Sequence, residues 1–100
     1  MKSIGDTKKR PAVVVSINIR NQFSSTVLIV PFTSDLAGGE TPTRILVSVG
    51  EGGLESNSLA TCNNILAVRK SALERGPYGQ VSPASLERIQ AGIQIVIDVF

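Results

Sequence analysis

Thr26-Val27-Leu28-Ile29-Val30-Pro31-Phe32 is the stretch on which the fold turns. It is short, apolar and rich in β-branched residues, which predicts a buried strand. Pro31 near its end cannot donate to a sheet ladder, so the strand should meet an edge or a bulge there. A run of the same kind precedes it. Pro11 to Ile17 holds Val13, Val14 and Val15 together, bounded by Pro11 and Asn18, and reads as a second buried strand. Between the two, Asn18 to Ser25 is polar and reads as a connecting loop.

Downstream, Ser34 to Pro42 contains Gly38-Gly39 and reads as a loop. Thr43-Arg44-Ile45-Leu46-Val47-Ser48-Val49 is mostly alternating, which predicts Ile45, Val47 and Val49 on the core side and Arg44 and Ser48 outside. Gly50-Glu51-Gly52-Gly53 is a sharp turn. It lacks the Lys-Ser/Thr that follows a phosphate-binding loop, and it opens no obvious helix. Ser58 to Val68 predicts one or two short strands around a polar Asn63-Asn64. Lys70 to Gly76 predicts a helical turn ended by Gly76-Pro77, and Tyr78 to Val81 a last short strand.

The C-terminus predicts a helix. Ser82 is a good N-cap, and Pro83 suits the first helical position. Leu86, Ile89, Ile93, Val96 and Phe100 follow at three- and four-residue spacing. Ile95, Ile97 and Val99 widen the apolar surface beyond one stripe. A chain of 100 residues has little core to cover such a helix, so its end is expected to meet a partner subunit. Many short strands, Gly/Pro turns and one terminal helix predict a mainly β fold, a small antiparallel barrel with a helix packed on it.

Composition narrows the chemistry. Hydrophobic residues make up 42% and charged residues 18%, which is the composition of a globular chain, and the length suits one domain over 1–100. Aromatics are scarce, so the core must be built from Val, Ile and Leu. Cys62 is the only cysteine, which rules out an intramolecular disulfide and suggests a buried thiol in a reducing compartment. There is no histidine. That removes paired-histidine ribonuclease chemistry, Ser-His-Asp triads and histidine-held metals, and makes zinc improbable. No metal or cofactor is expected. No apolar run reaches the length of a membrane span, and Met1-Lys2-Ser3-Ile4-Gly5-Asp6 is not a signal peptide, so a cytoplasmic protein is expected.

The net charge of +2 is unevenly spread. Lys2, Lys8, Lys9, Arg10 and Arg20 against Asp6 give residues 1–20 a net +4, and five basic against seven acidic side chains give the remainder −2. A basic leading edge on a mildly acidic body can steer a polyanion. A solvated tail would look the same.

The order of motifs carries more. Lys8-Lys9-Arg10-Pro11-Ala12-Val13-Val14-Val15-Ser16 resembles the Arg-Pro-Val/Ala-hydrophobic strand of the MazF/PemK toxins. Asn21-Gln22-Phe23-Ser24-Ser25-Thr26 resembles their loop before the next strand. Val27 to Ser34 resembles the strand that ends in a functional threonine. Gly52-Gly53-Leu54, Ser58-Leu59-Ala60 and Val81-Ser82-Pro83 follow in family order. The likeness runs from about Lys8 to Phe100.

This resemblance implies an SH3-like barrel of the MazF/CcdB/Kid toxin type, acting as a homodimer. It implies a metal-independent, sequence-specific endoribonuclease that cuts single-stranded RNA (mRNA), the 2′-hydroxyl attacking the adjacent phosphate. A cognate antitoxin of MazE type would block the site with a flexible acidic segment. Arg10 is then the phosphate clamp and transition-state stabiliser, because a planar guanidinium grips phosphate through two hydrogen bonds. Thr33 is the hydroxyl donor to the same phosphate. Lys8, Lys9, Arg20 and Ser34 are candidate RNA contacts. Phe23 could stack on a base or anchor the loop, and Asn21 and Gln22 could read base edges or cap that loop.

The chain departs from the family in three places. Met1 falls inside the loop that in relatives follows an opening strand, which predicts an unpaired sheet edge. Ile4 and Gly5 stand where relatives carry a Ser/His-Glu pair, whose carboxylate would be the natural base, and with a short gap Asp6 could stand near that missing glutamate. Asn63-Asn64-Ile65-Leu66 stands where relatives often carry an acidic residue, Gln, Ile and Arg. A non-catalytic member that binds an antitoxin, or a gyrase-poison relative on the same fold, is the alternative.

Overall fold

The computed structural model describes residues 11–73 and 79–97. The expectations placed on Asp6, Lys8, Lys9, Arg10, Tyr78 and Phe100 lie outside these residues. In chain order the elements are β1 (Ala12–Val14), α1 (Asn18–Phe23), β2 (Thr26–Thr33), β3 (Arg44–Val47), β4 (Ser58–Thr61), β5 (Leu66–Arg69) and α2 (Pro83–Ile97). Short 3-10 turns occur at Glu51–Gly53, Cys62–Asn64 and Lys70–Ala72. The expected class holds: mainly β, antiparallel, with a C-terminal helix.

The five strands form a sheet that branches at β2 rather than a closed ring. β1 lies along one side of β2, with Ala12 opposite Pro31 and Val14 opposite Ile29. The other side of β2 is shared. β5 takes Thr26 to Ile29, β4 takes Phe32 and Thr33, and β3 adds to β4. This handover explains Pro31. The Phe32 N–H donates to the Pro11 carbonyl at 3.0 Å, so even-numbered N–H groups of β2 face β1. Position 31 would therefore donate toward β5 and β4, where one partner has ended and the next has not begun. No donor is needed there, and proline fits. Its carbonyl accepts the Thr61 hydroxyl at 2.8 Å.

Strict alternation would not bury Ile29 and Val30 in succession, yet both are buried. The branch is the reason. Val27 and Ile29 pack with Val68 of β5, with Ala12 and Leu73 beside them. Val30 and Phe32 point to the other pleat face and pack with Ile45, Val47, Leu54, Ala60, Cys62 and Ile89. β2 thus buries one face in its first half and the opposite face in its second.

Three expectations are corrected. Asn18–Phe23 is a helix, not a loop. It is too short to stand alone and is held by side chains. The Asn21 Nδ2 donates to the Ser16 carbonyl at 3.0 Å, the Ser16 hydroxyl bonds the Asn21 Oδ1, and Arg20 donates to the Thr26 carbonyl at 2.9 Å and hydroxyl at 3.2 Å. Val49 is not in the core: β3 ends at Val47, and Val49 is 56% exposed, its N–H held by Asn57. Residues 79–81 form no strand. There Gly79 lies so close to Gly52 that a Cβ would sit 2.9 Å from the Gly52 carbonyl carbon.

Helix α2 begins as expected. The Ser82 hydroxyl accepts the Ser85 N–H at 3.1 Å, and Glu51 accepts the Ser82 N–H at 2.7 Å. Both bonds satisfy donors that a helix start leaves unpaired. The line of closest contact is not the apolar stripe alone but Ser85, Ile89 and Gly92, all buried. At Gly92 a Cβ would lie 2.8 Å from the Cys62 sulfur and 3.1 Å from the Pro42 carbonyl oxygen. Leu86, Ile93 and Val96 are half-buried, while Ile95 and Ile97 are exposed.

Candidate active site

Thr33 ends β2, half-buried, with its side chain on the pleat face away from Val30 and Phe32. Its hydroxyl oxygen accepts the Asp35 N–H at 3.1 Å. Among the described residues no acceptor takes its proton, so the hydroxyl is positioned as a donor. Thr61, on the same face, is the opposite case, because its proton is spent on the Pro31 carbonyl. Ser34 is exposed beside Thr33. The Pro11 carbonyl is bonded to the Phe32 N–H, so the chain enters β1 beside Thr33. Arg10 is one peptide bond from Pro11 and lies outside the described residues.

The other expected RNA contacts lie at the far end of β2. Arg20, Asn21, Gln22 and Phe23 belong to α1, next to Thr26. Seven residue steps along the strand separate Thr26 from Thr33, about 23 Å. They also differ in face, since Arg20 reaches the Thr26 side chain, which points opposite to that of Thr33. Arg20 and Asn21 serve the fold through their bonds to Thr26 and Ser16. Gln22 and Phe23 are exposed, Phe23 at 80%. The structure therefore does not bring these four residues together with Thr33 and Ser34.

The carboxylates with shifted acidity are both held down. The Leu46 N–H at 2.7 Å, and then Arg88 at 2.5 Å, keep Glu40 below its ordinary 4.5. The Ser85 hydroxyl and then the Ser82 N–H keep Glu51 below the same value. Burial pushes the Cys62 thiol up, as an unreactive core cysteine requires.

A family model for PemK-like, MazF-like toxins of type II toxin–antitoxin systems matches residues 2–97. The chain belongs to this toxin family. No curated protein sequence matches it at a significant level. Solved structures share the fold. The Mycobacterium tuberculosis toxin MazF-mt6 aligns with a TM-score of 0.76 at 20% identity, over 91% of this chain and 88% of that one. An endoribonuclease solved with its cognate antitoxin, from a mycobacterial species, gives 0.81 at 21%, over 98% and 88%. A MazE–MazF structure from Deinococcus radiodurans gives 0.74 at 15%, over 91% and 84%. Among the described residues of the toxin, no helix is long and apolar enough to cross a membrane.

Sequence reasoning passed over Arg44 in this toxin. Thr33 pairs with Leu59, Arg44 pairs with Thr61, and Leu59 and Thr61 share a pleat face. Thr33, Thr61 and Arg44 therefore lie on one face of β2–β4–β3. The alternation in 43–49 had already put Arg44 outside. Only the register between strands distant in sequence puts it on the face of Thr33.

Proposed function

We propose that the toxin is a metal-independent endoribonuclease that cuts single-stranded RNA with Arg10 and Thr33. The observation that carries this reading is the Thr33 hydroxyl. Its oxygen is fixed by the Asp35 N–H while no described residue takes its proton, which suits an acceptor that gains negative charge. In-line attack by a 2′-hydroxyl loads charge onto the non-bridging phosphate oxygens. Thr33 donates to one of them, and the Arg10 guanidinium, one residue before Pro11 in the sequence, clamps the phosphate. Lys8, Lys9 and Ser34 contact neighbouring backbone. Gln22 and Phe23 meet only a substrate that extends along β2. Family membership supports an antitoxin of MazE type as partner, and exposed Ile95 and Ile97 support a homodimer built on the end of α2. The reading places one domain over 1–100 in the cytoplasm.

The test is cleavage of a single-stranded RNA by the purified chain in EDTA. Arg10→Ala should abolish cutting, and undiminished cutting by that variant would sink the assignment. A second reading is a toxin that binds its antitoxin without cutting. It is favoured by Ile4 and Gly5, which stand where relatives carry the Ser/His-Glu pair whose carboxylate would be the natural base. Purified chain that binds RNA without cutting it would select that reading.

A further inference from the structure

We propose that Arg44 is a second phosphate-contacting cation of the Thr33 face, holding the backbone of single-stranded RNA beside the reacting phosphate. This rests on the ribonuclease reading above and adds a residue to it.

Register comes first. Arg44 pairs with Thr61, and Thr61 lies two residues from Leu59, the partner of Thr33. Two strand spacings and two residues separate Arg44 from Thr33, about 12 Å between backbones. A long guanidinium side chain together with a bound phosphodiester spans that gap. The other face of these strands is closed by Val30, Phe32, Ile45, Val47 and Ala60. On the Thr33 face the side chains of Thr33, Thr61 and Arg44 are half-buried around a buried Leu59, so a ligand meets their polar ends at that face.

Commitment of donors comes second. The Arg44 Nη1 donates to the Ala37 carbonyl at 2.9 Å. A guanidinium has five N–H donors, so one bond orients the fork and leaves the rest for a ligand. Its partner is a neutral carbonyl, and among the described residues Arg44 has no ion-pair partner that would offset its charge. Arg88 nearby is different, because Glu40 neutralises it at 2.5 Å. Thr61 cannot substitute, since its proton is already given to Pro31.

Fixation comes third. The loop that leaves Thr33 and Ser34 is laid on the guanidinium. At Gly38, with φ +85°, a Cβ would lie 3.2 Å from the Arg44 Nη1. The same loop is pinned further along, where Glu40 accepts the Leu46 N–H. The cation and the Thr33 hydroxyl are therefore held by one short segment, which keeps their spacing constant before any ligand arrives.

The experiment is fluorescence anisotropy with a labelled, mixed-sequence 2′-O-methyl oligoribonucleotide, which lacks the attacking hydroxyl and stays intact. Arg44→Gln removes the charge and keeps a polar side chain. It should weaken binding by about tenfold and lower the slope of log affinity against log salt by about 0.7. Arg44→Lys should restore the slope. Arg69→Gln, at the other end of β2, should leave the slope unchanged. An Arg44→Gln slope equal to wild type overturns the proposal, and so does an equal fall with Arg69→Gln. Should Arg44→Gln fail to fold, the wild-type chain decides. Titration with the same oligonucleotide should move the Arg44 Nε–Hε resonance, and an unmoved resonance overturns the proposal. If the wild-type chain binds no RNA at all, the ribonuclease reading falls with it. If it binds RNA and only Arg44 is silent, that reading survives alone.

Discussion

Near Thr26, β2 buries Val27 and Ile29 against Val68. Near Thr33 it buries Val30 and Phe32 against β3, β4 and α2. The two halves have similar composition, but the sides they turn away from these two clusters are opposite pleat faces. In the first half, the exposed side is where Arg20 grips Thr26 and props up α1. In the second, the face turned away from that core carries half-buried Thr33, Thr61 and Arg44 around a buried Leu59. One strand thus serves two jobs without either surface intruding on the other. The first half anchors the chain to itself, and the second presents donors outward. Polar residues near a strand acquire their meaning from which half they adjoin.

The comparison breaks most visibly through Thr33. Thr33→Val keeps the shape and removes the proton, and RNA cleavage should fall by about 10–100-fold, the cost of a donor to a charged group. Phe23→Ser at the other half should change cleavage of a short oligonucleotide by less than about twofold. Equal losses would mean that the two ends form one site.

Next in size is Gly92→Val. The new side chain would collide with the Cys62 sulfur and the Pro42 carbonyl, lifting α2 from the core under the second half. Urea unfolding should show a loss of about 1–3 kcal/mol. Arg20→Ala tests the first half. It removes two hydrogen bonds to Thr26 and should cost about 1–2 kcal/mol, with cleavage little changed. A large fall in cleavage at unchanged stability would instead give Arg20 a place in the site.

The smallest effect is acid sensitivity, carried by Glu40 and Glu51, which hold β3 and the start of α2. Glu40 and Glu51 both have folded pKa values below the ordinary 4.5. Their stabilisation is therefore present above that pH and lost as pH falls through the lower folded values. Urea midpoints should drop over this range, and Glu51→Gln should flatten the drop more than Glu40→Gln, because Glu51 is half-buried and Glu40 is exposed. An unchanged pH profile in both variants would remove these carboxylates from the account.

Much of the fold is legible in the sequence where the signal is local. β-branched runs mark β1 and β2, alternation marks Ile45 and Val47, and Ser82-Pro83 marks the start of α2. Helix α1 is not legible, because its stability comes from Ser16 and Thr26, residues outside it. The contact at Gly92 escapes an apolar stripe for the opposite reason, since the closest approach needs the absence of a side chain. Of the candidate site, Thr33 is legible as the last residue of an apolar strand. That Arg44 shares its face is a matter of register across three strands, which no local pattern encodes.

The outer margin of β3 has a wider consequence. There the Thr41 backbone pairs with that of Arg44, while Glu40 accepts the Leu46 N–H and Arg88 donates to the Leu46 carbonyl at 3.2 Å. Among the described residues, the sheet stops at this margin without a further strand. Fibrils and filaments lengthen by offering backbone to backbone, and here a carboxylate and a guanidinium have already taken the offer. Resistance to self-templated growth at this margin is therefore set by two codons, and acid can weaken it by protonating one of them.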